Sequence, residues 1–306
     1  MNDPIRYYTL SQHLKETFGC KVYKIAVDAG FTCPNRDGTK GIGGCIYCDA
    51  RGSGAYHIHA ETIDEQIQHG LAFARRRYGA EKFVVYFQAF TNTYAPLETL
   101  ATLYEKALAY PDVVGLAIGT RPDCVPEPVL DLIEGYAYSH YIWIEYGLQS
   151  ARDDTLQAIH RGHTVAEFID AVQRTKARHI LICAHVMLGL PGESSEDMMA
   201  TAELVAKLDL DGIKIHPTYV PSGTMLERMY EQGSFTPLEM DVYVNLACDL
   251  LERIPERMVV QRITGEAPGD ILVAPKWCGD KRAVLEAIRG ELVRRDSWQG
   301  KRWRKG

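Results

Sequence analysis

Apolar segments of strand length alternate with amphipathic segments of helix length along the first two-thirds of this 306-residue chain. The helical segments begin with Pro or a capping residue and repeat their apolar positions about every 3.6 residues. Repeated β-α units predict a parallel sheet, either open and doubly wound or curled into a barrel, with functional residues on the loops after the strands. The predicted strands are 21–30, 83–88, 113–120, 141–149, 179–190 and 212–217, and the predicted helices are 62–78, 96–110, 126–137, 164–178 and 195–208.

The alternation stops near residue 225, and the remainder predicts helices plus an extended stretch at 262–281 that caps the sheet. We therefore predict two domains, 1–224 and 225–306, the second a helical extension with a basic tail. Residues 281–306 carry nine Lys or Arg against three Asp or Glu, whereas the whole chain has a net charge of −6. A cationic tail on an acidic chain indicates a polyanionic partner.

The composition favours a globular protein, with 46% hydrophobic and 24% charged residues. No apolar run approaches the roughly 20 residues that span a bilayer, and the first ten residues lack the apolar core of a signal peptide. We expect a cytoplasmic protein without membrane contact. Its eight cysteines are then expected to be reduced thiols and not disulfides.

Three cysteines, Cys33, Cys45 and Cys48, are bunched in the loop after the first predicted strand. Structural zinc sites are closed by four ligands, and only three are present here. A four-iron cluster held by three thiolates leaves one iron open, and S-adenosylmethionine is the best-known molecule to fill that position. We therefore predict that these cysteines hold a [4Fe–4S] cluster. Tyr47, between the last two, is suited to packing against the adenine.

A zinc site is the alternative. A fourth ligand could come from elsewhere in the chain: His57, His59, Cys124, Cys183, Cys248 or Cys278. Isolated cysteines are more often small buried apolar residues, and we interpret Cys20, Cys124, Cys183 and Cys248 in this way.

Blocks of sequence along nearly the whole chain resemble radical S-adenosylmethionine proteins of the YtqA/YhcC-like group. The blocks are CPNRDGT, GGCIYC, FQAFTNTYAP, IGTRPDC, EYGLQS, HRGHT, HVMLGLPGE, HPTYVPSGT, RITGEAP, LVAPKWC and DSWQGKR. Several also resemble the radical domain of the elongator catalytic subunit, whose acetyltransferase domain has no counterpart here. The resemblance implies an α/β fold, a partial (β/α)6 TIM-like barrel with a C-terminal extension, and the cofactors [4Fe–4S] and S-adenosylmethionine.

Strand periodicity and the resemblance together predict cofactor-binding residues. Residues 145, 147 and 149 share one face of their strand, so Glu145 and Gln149 are expected to reach S-adenosylmethionine together. Arg161 is spaced like an arginine that faces the methionine carboxylate in related coproporphyrinogen-oxidising enzymes. Gln88 takes the place of a family turn that binds the methionine amine, and Thr120 or Glu145 is a candidate ribose ligand.

The fifth and sixth strands supply the remaining candidates. His185 precedes Leu190-Pro191-Gly192, whose backbone is expected to lie along the adenine. We therefore predict that His185 contacts the cofactor, and the alternative is a histidine buried in the core. Lys214 and His216 share the face opposite Ile213 and Ile215, and polar-inward alternation is typical of a barrel site. We predict Lys214 and His216 as the catalytic, substrate-facing pair.

The resemblance implies a tRNA substrate, with the 5-carboxymethylaminomethyl group of the wobble uridine converted to aminomethyl through a 5′-deoxyadenosyl radical. An electron donor such as flavodoxin or ferredoxin is also expected. One alternative is a radical enzyme acting on a protein or small metabolite. The other is a zinc-stabilised barrel that binds RNA without catalysis.

The basic tail is predicted to contribute to RNA binding. Val284, Leu285, Ile288, Leu292 and Val293 recur at helical spacing, which would leave Arg289, Arg294 and Arg295 facing solvent. Beyond this helix, Trp298 and Trp303 are interleaved with Lys301, Arg302, Arg304 and Lys305, a pattern suited to stacked bases and phosphates. The alternative is a solvated C-terminus with one tryptophan packed on the barrel.

Overall fold

A computed structural model describes residues 5–52, 62–265 and 269–304. Seven parallel strands form one curled sheet, a half-barrel in which each strand pairs with the next along the chain. The strands of this sheet are β1 Val22–Val27, β2 Lys82–Phe87, β3 Val113–Thr120, β4 Tyr141–Gln149, β5 Leu181–Leu188, β6 Gly212–Pro217 and β8 Val259–Arg262. Strands β7 Val220–Pro221 and β9 Leu272–Ala274 form a small antiparallel pair. The predicted partial α/β barrel is confirmed.

Ten helices accompany the strands in the described part of the chain. They are α1 Leu10–Phe18, α2 Ile63–Tyr78, α3 Leu97–Leu108, α4 Glu127–Ala137, α5 Asp153–Ala158, α6 Val165–Lys176, α7 Ser195–Lys207, α8 Met225–Glu231, α9 Met240–Arg253 and α10 Lys281–Arg294. Side-chain caps fix where several begin: Thr62, Thr164 and Ser194 each cap a helix whose third residue is Glu or Asp and caps in return. Sequence and structure agree on these starts because the caps are local.

One strand of the sheet, β8, differs from the sequence prediction. We expected helices and an extended cap at 262–281 after residue 225, but Val259–Arg262 pairs with β6 and extends the barrel sheet. The N-terminal segment then runs along the far side of β8, where Val260 N donates to Tyr8 O at 2.8 Å and Thr9 forms a bridge with Val260. Tyr8 and Thr9 therefore cover the last strand of the sheet.

The outward faces of the strands pack against the helices in one large apolar core. Side chains of α9 and α10, such as Leu250, Leu251 and Ile288, belong to the same core as β4 and β5. The boundary predicted at residue 225 stays a prediction, and the core is continuous across it. No helix in the described part of the chain is both long and apolar enough to cross a membrane.

The inward face of the sheet changes character along the strands. Near the amino ends, Trp143, Cys183 and Val259 form a small apolar cluster beneath Leu10. Farther along, inward positions carry charged and polar side chains, beginning at Lys24 and Glu145. The half-barrel thus has an apolar floor and a polar interior toward the carboxyl ends of the strands.

The prediction for the basic helix was wrong for two of its three arginines. Arg294 is exposed, but Arg295 is largely buried and bonds Asp249 Oδ1 at 2.7 Å, and Arg289 is half-buried and lines the barrel cavity. The following segment is also docked, because the buried Gln299 side chain accepts from Tyr8 N and donates to Met258 O, both at 2.8 Å. Acidic partners on neighbouring α9, Asp249 and Glu252, explain the burial of Arg295, and sequence periodicity cannot reveal them.

Candidate active site

One cavity of about 1610 Å³ opens inside the half-barrel. It is bounded by inward-facing strand residues and by the loops that follow β1, β3 and β4. All twelve residues predicted from the sequence line it: Cys33, Cys45, Tyr47, Cys48, Gln88, Thr120, Glu145, Gln149, Arg161, His185, Lys214 and His216. Their placement together does not by itself assign a role to any of them, and those roles stay predictions.

The cysteine loop folds into tight turns that bring its three thiols to the cavity. Cys33 O accepts from Arg36 N at 2.8 Å, and Cys48 N donates to Cys45 O at 3.0 Å, which closes the CxxC turn. The loop is fixed to the barrel because Ile46 bonds the backbone of Ile159 and of Leu226. Asn35 Nδ2 lies 3.7 Å from Cys45 Sγ, so an N–H donor is already directed at one thiol.

Arg161 is buried at the carboxyl end of β4 and is not the solvated arginine that was its alternative. Its Nη2 donates to Gly147 O at 2.8 Å, while Nη1 lies 3.7 Å from Cys45 Sγ. His163 Nε2 donates to the same carbonyl at 2.9 Å, and burial lowers its pKa to about 3, so its ring is neutral. The guanidinium therefore sits beside the cysteine loop with a fixed orientation.

A second charged layer lies deeper in the cavity. Glu145, on β4, is fully buried, and its Oε1 is 2.5 Å from Lys24 Nζ of β1. Its Oε2 bonds Lys214 of β6 and accepts from His185 Nε2 at 2.8 Å. Burial opposes ionisation of Glu145, but the two lysines outweigh it and hold its pKa well below the usual range. We call Lys24, Glu145 and Lys214 the lysine tier.

Both oxygens of Glu145 thus have protein partners, which the sequence analysis did not foresee. The cofactor role predicted for Glu145 stays a prediction, and the structure adds a second role, that of holding two ammonium groups. Both ammonium groups also face the ring of Tyr86, with Nζ 4.8 Å from its centroid for Lys24 and 4.0 Å for Lys214.

His185 and His216, which face each other in the cavity, are neutral. Burial, with Lys214 nearby, lowers the pKa of His185 to about 4. Burial and the Arg262 charge hold the pKa of His216 well below its usual range. The rings are 5.5 Å apart between centroids, and His216 has no hydrogen-bond partner among the described residues. Its ring nitrogens are available to a bound molecule.

Three other predicted residues lie at the rim of the cavity. Thr120 shares a 2.6 Å hydroxyl bond with Thr93, so its hydroxyl is already oriented by the protein. Gln149 sits at a register shift between β4 and β5 with a φ of 75°, which turns its amide over Gly147. Gln88 follows β2, and its backbone N donates to Val27 O at 3.2 Å.

Residues 33–205 match the Radical SAM superfamily, and residues 210–294 match the Radical_SAM C-terminal domain. The chain is a radical S-adenosylmethionine enzyme. It is 43% identical to the uncharacterized protein YtqA of Bacillus subtilis over 98% of this chain and 94% of YtqA. It is 37% identical to protein YhcC of Escherichia coli K12 over 88% of this chain and 86% of that protein.

More distant relatives of this radical S-adenosylmethionine enzyme are tRNA enzymes. The tRNA uridine(34) acetyltransferase of Dehalococcoides mccartyi is 28% identical over 60% of this chain and 39% of its own length. The solved structure of archaeal Methanocaldococcus infernus Elp3 superposes with a TM-score of 0.68 at 20% identity, covering 91% of this chain and 64% of that chain. The structural match establishes the shared fold.

Radical S-adenosylmethionine enzymes use a [4Fe–4S] cluster and S-adenosylmethionine, and the donor set of this chain fits both. The thiols of Cys33, Cys45 and Cys48 would hold the cluster, with Arg161 and Asn35 as neighbouring donors. The hydroxyl of Tyr47 is buried without a hydrogen-bond partner among the described residues, which fits a polar group brought by the cofactor.

Family membership excludes the zinc alternative. Among the described residues, no group of three or more His, Cys, Asp or Glu is placed to hold a single metal ion, whereas the thiolates of a [4Fe–4S] cluster bind different irons. Cys183 and Cys278 pack in apolar clusters, and Cys248 packs in the main core. His57 and His59 lie outside the described residues.

Sequence reasoning missed the residues that tie the cysteine loop to the barrel. Arg121 and Asp123, both about 2% exposed, form a buried pair at 2.8 Å, and Lys40 of the cysteine loop reaches the same carboxylate at 2.6 Å. Arg121 Nη1 also donates to Arg161 O at 2.6 Å. The chain therefore carries an ionic strut, Lys40–Asp123–Arg121, between the cysteine loop and the Arg161 loop. The block IGTRPDC contains Arg121 and Asp123, but Lys40 is too distant in sequence for a local pattern to pair it with them.

Proposed function

We propose that this enzyme modifies tRNA, converting the 5-carboxymethylaminomethyl group of the wobble uridine to aminomethyl. The observation that carries the proposal is the similarity of residues across more than half the chain to enzymes named for uridine 34 of tRNA. The shared fold with archaeal Elp3 is consistent with it.

The size of the cavity leaves room for a substrate beside the cofactor. Its volume of about 1610 Å³ exceeds the roughly 300–1,000 Å³ of a typical ligand pocket. A nucleoside could therefore enter beside the cofactor. The reductive cleavage of S-adenosylmethionine at the cluster would supply the 5′-deoxyadenosyl radical.

The residues of this chain have proposed tasks in that reaction. Arg161 binds the methionine carboxylate, because a buried planar guanidinium suits a carboxylate. Gln149 and Tyr47 border the same part of the cavity and orient the cofactor. His216, neutral and without a described partner, faces the substrate, where its ring nitrogens can hydrogen-bond the substituent. A low-potential protein such as flavodoxin or ferredoxin supplies the electron.

The test is mass spectrometry of wobble nucleosides from cells with and without the protein. Loss of the aminomethyl nucleoside with accumulation of its carboxymethylaminomethyl precursor is expected in cells lacking it. The wild-type gene should restore the product, and a Cys45→Ala gene should not. An unchanged nucleoside profile would reject the tRNA proposal in favour of a protein or small-metabolite substrate.

A further inference from the structure

The lysine tier holds more positive than negative charge. Two ammonium groups, with side chains 15% and 5% exposed, share one fully buried carboxylate. The neighbouring histidines are neutral, so they add nothing to either side of this balance. One positive charge therefore remains in the cavity wall. Burying a cation without a counter-charge costs free energy unless an anion binds beside it.

The whole cavity repeats this imbalance. Ten Lys or Arg residues line it against two carboxylates, in a chain whose net charge is −6. Some of these cations have partners outside the lining, as Arg121 has Asp123. The concentration of cations in one concave surface of an acidic protein nevertheless favours anionic guests.

A third group at the tier indicates where the guest would bind. Lys24 Nζ donates to Gln261 Oε1 at 2.7 Å. An ammonium can only donate, so this bond fixes the Gln261 amide with its NH₂ pointing elsewhere. That Nε2 atom is buried and has no partner among the described residues. Gln261 Nε2 is therefore a donor without an acceptor, and it lies beside two ammonium groups. An anionic oxygen bound here would supply the missing acceptor.

The lysine tier lies deeper in the cavity than Arg161 and the cysteine loop. Glu145 is two residues before Gly147 on β4, about 7 Å along the strand, and the Gly147 carbonyl holds Arg161 beside Cys45. An anionic group on the tier would leave the rest of its molecule between the tier and the cysteine loop.

We infer that Lys24, Lys214 and the Gln261 amide bind an anionic group of the substrate, either a carboxylate or a phosphate. Glu145 positions the two ammonium groups and neutralises part of their charge. The inference rests on the proposed function for the identity of the substrate, but the site itself requires only an anion.

The experiment is calorimetric binding to the cluster-loaded enzyme in the presence of S-adenosylmethionine. Three probes separate the sources of charge: 5-carboxymethyluridine carries a carboxylate, uridine 5′-monophosphate a phosphate, and uridine neither. One anionic probe should bind about tenfold or more tighter than uridine, as a charge-assisted hydrogen bond provides. The tighter of the two identifies the source, and equal affinity for all three would overturn the inference.

Variants assign the effect to the tier. Lys24→Met and Lys214→Met should each reduce the preference for the anionic probe about tenfold, whereas Lys207→Met, an exposed lysine of α7, should leave it unchanged. A preference that survives both lysine variants would contradict the assignment.

Acetate and inorganic phosphate distinguish this inference from the tRNA proposal, because neither contains a nucleoside. Competition by one of them that depends on Lys214, combined with an unchanged wobble-nucleoside profile in cells, would keep the anion site and reject the tRNA substrate. An altered nucleoside profile without any lysine-dependent anion preference would keep the tRNA substrate and reject the anion site.

Discussion

Gly147 shows how a single residue fixes the upper part of the cavity. Its carbonyl accepts from both Arg161 and His163. A Cβ built on Gly147 would lie 2.4 Å from Arg161 Nη2, so any side chain here would displace the guanidinium. The block EYGLQS therefore needs glycine at its centre because the arginine occupies that space.

Replacement of Cys45 by Ala should prevent cluster assembly. Two thiolates would remain for a cluster that needs three, so iron and sulfide after anaerobic reconstitution should fall to a small fraction of the wild-type content. Cys20→Ala, which alters a cysteine outside the loop, is the matched control and should keep both. Full iron and sulfide in Cys45→Ala would disprove the assignment of the ligands.

Arg161→Ala should weaken S-adenosylmethionine binding while the cluster stays in place. Loss of a charge-assisted pair costs about 1.5–3 kcal/mol, or roughly ten- to a hundredfold in affinity. Equilibrium binding of S-adenosylmethionine, with iron content measured on the same sample, checks this. Unchanged cofactor affinity at full iron content would show that Arg161 only supports the Gly147 turn.

At the scale of elements, the ionic strut makes the cysteine loop depend on the loop after β3. Asp123 accepts from Arg121 and from Lys40, so its carboxylate connects the loop after β3 to the cysteine loop. Burial opposes ionisation of Asp123, but its two cationic partners prevail and lower its pKa to about 2. The folded protein therefore holds this carboxylate charged more strongly than the unfolded chain does.

Asp123→Asn should lower the free energy of unfolding by about 3–5 kcal/mol at pH 7, because it leaves Arg121 buried without its counter-charge. A carboxylate with a lowered pKa stabilises the fold above its unfolded value near 4 and loses that contribution as pH falls toward 2. The difference between wild type and variant in urea unfolding should thus be constant from pH 7 to 5 and shrink below pH 4. A difference that is independent of pH would contradict the ionic role.

The helices and strands that could be predicted are those whose sequence signals lie within the segment itself. Six strands and five helices could be found because apolar periodicity and caps such as Thr164 lie within each segment. The strand β8 has four residues and is defined by its pairing with β6 and Tyr8, which no local pattern encodes. Lys24 was missed for a related reason: a lone lysine in VYKIAV becomes meaningful only when Glu145 lies across the barrel.

At the scale of the whole molecule, the docked tail changes how RNA binding should be tested. Removal of residues 297–306, the natural first experiment, would also remove buried Gln299 and its bonds to Tyr8 and Met258. Trp303 packs against the core. Trp298 is 42% exposed with Lys301 Nζ 4.9 Å from its ring, so this pair is accessible, as are the exposed Arg302 and Arg304 of the predicted RNA-binding tail.

The paired substitution Trp298→Ala and Lys301→Ala should weaken tRNA binding and leave S-adenosylmethionine binding intact. Stacking on an aromatic ring is worth about 1–3 kcal/mol per base, and one lost phosphate contact should flatten the slope of log affinity against log salt by about 0.7–0.9. Filter binding across a salt series measures both. Val242→Ala, at an exposed apolar position of α9, is the control, and unaltered tRNA affinity in the paired variant would show that Trp298 and Lys301 do not contact RNA.

The cover that Tyr8 and Thr9 place over β8 has a consequence for solubility. A half-barrel, unlike a closed one, ends in two strand edges, and an uncovered edge offers hydrogen-bonding groups to any other extended chain. Here Tyr8 O takes the amide of Val260, and the bridge at Thr9 continues that pairing. Tyr8 and Thr9 thus occupy this edge, and a fusion or truncation that displaces them would expose it to edge-to-edge pairing.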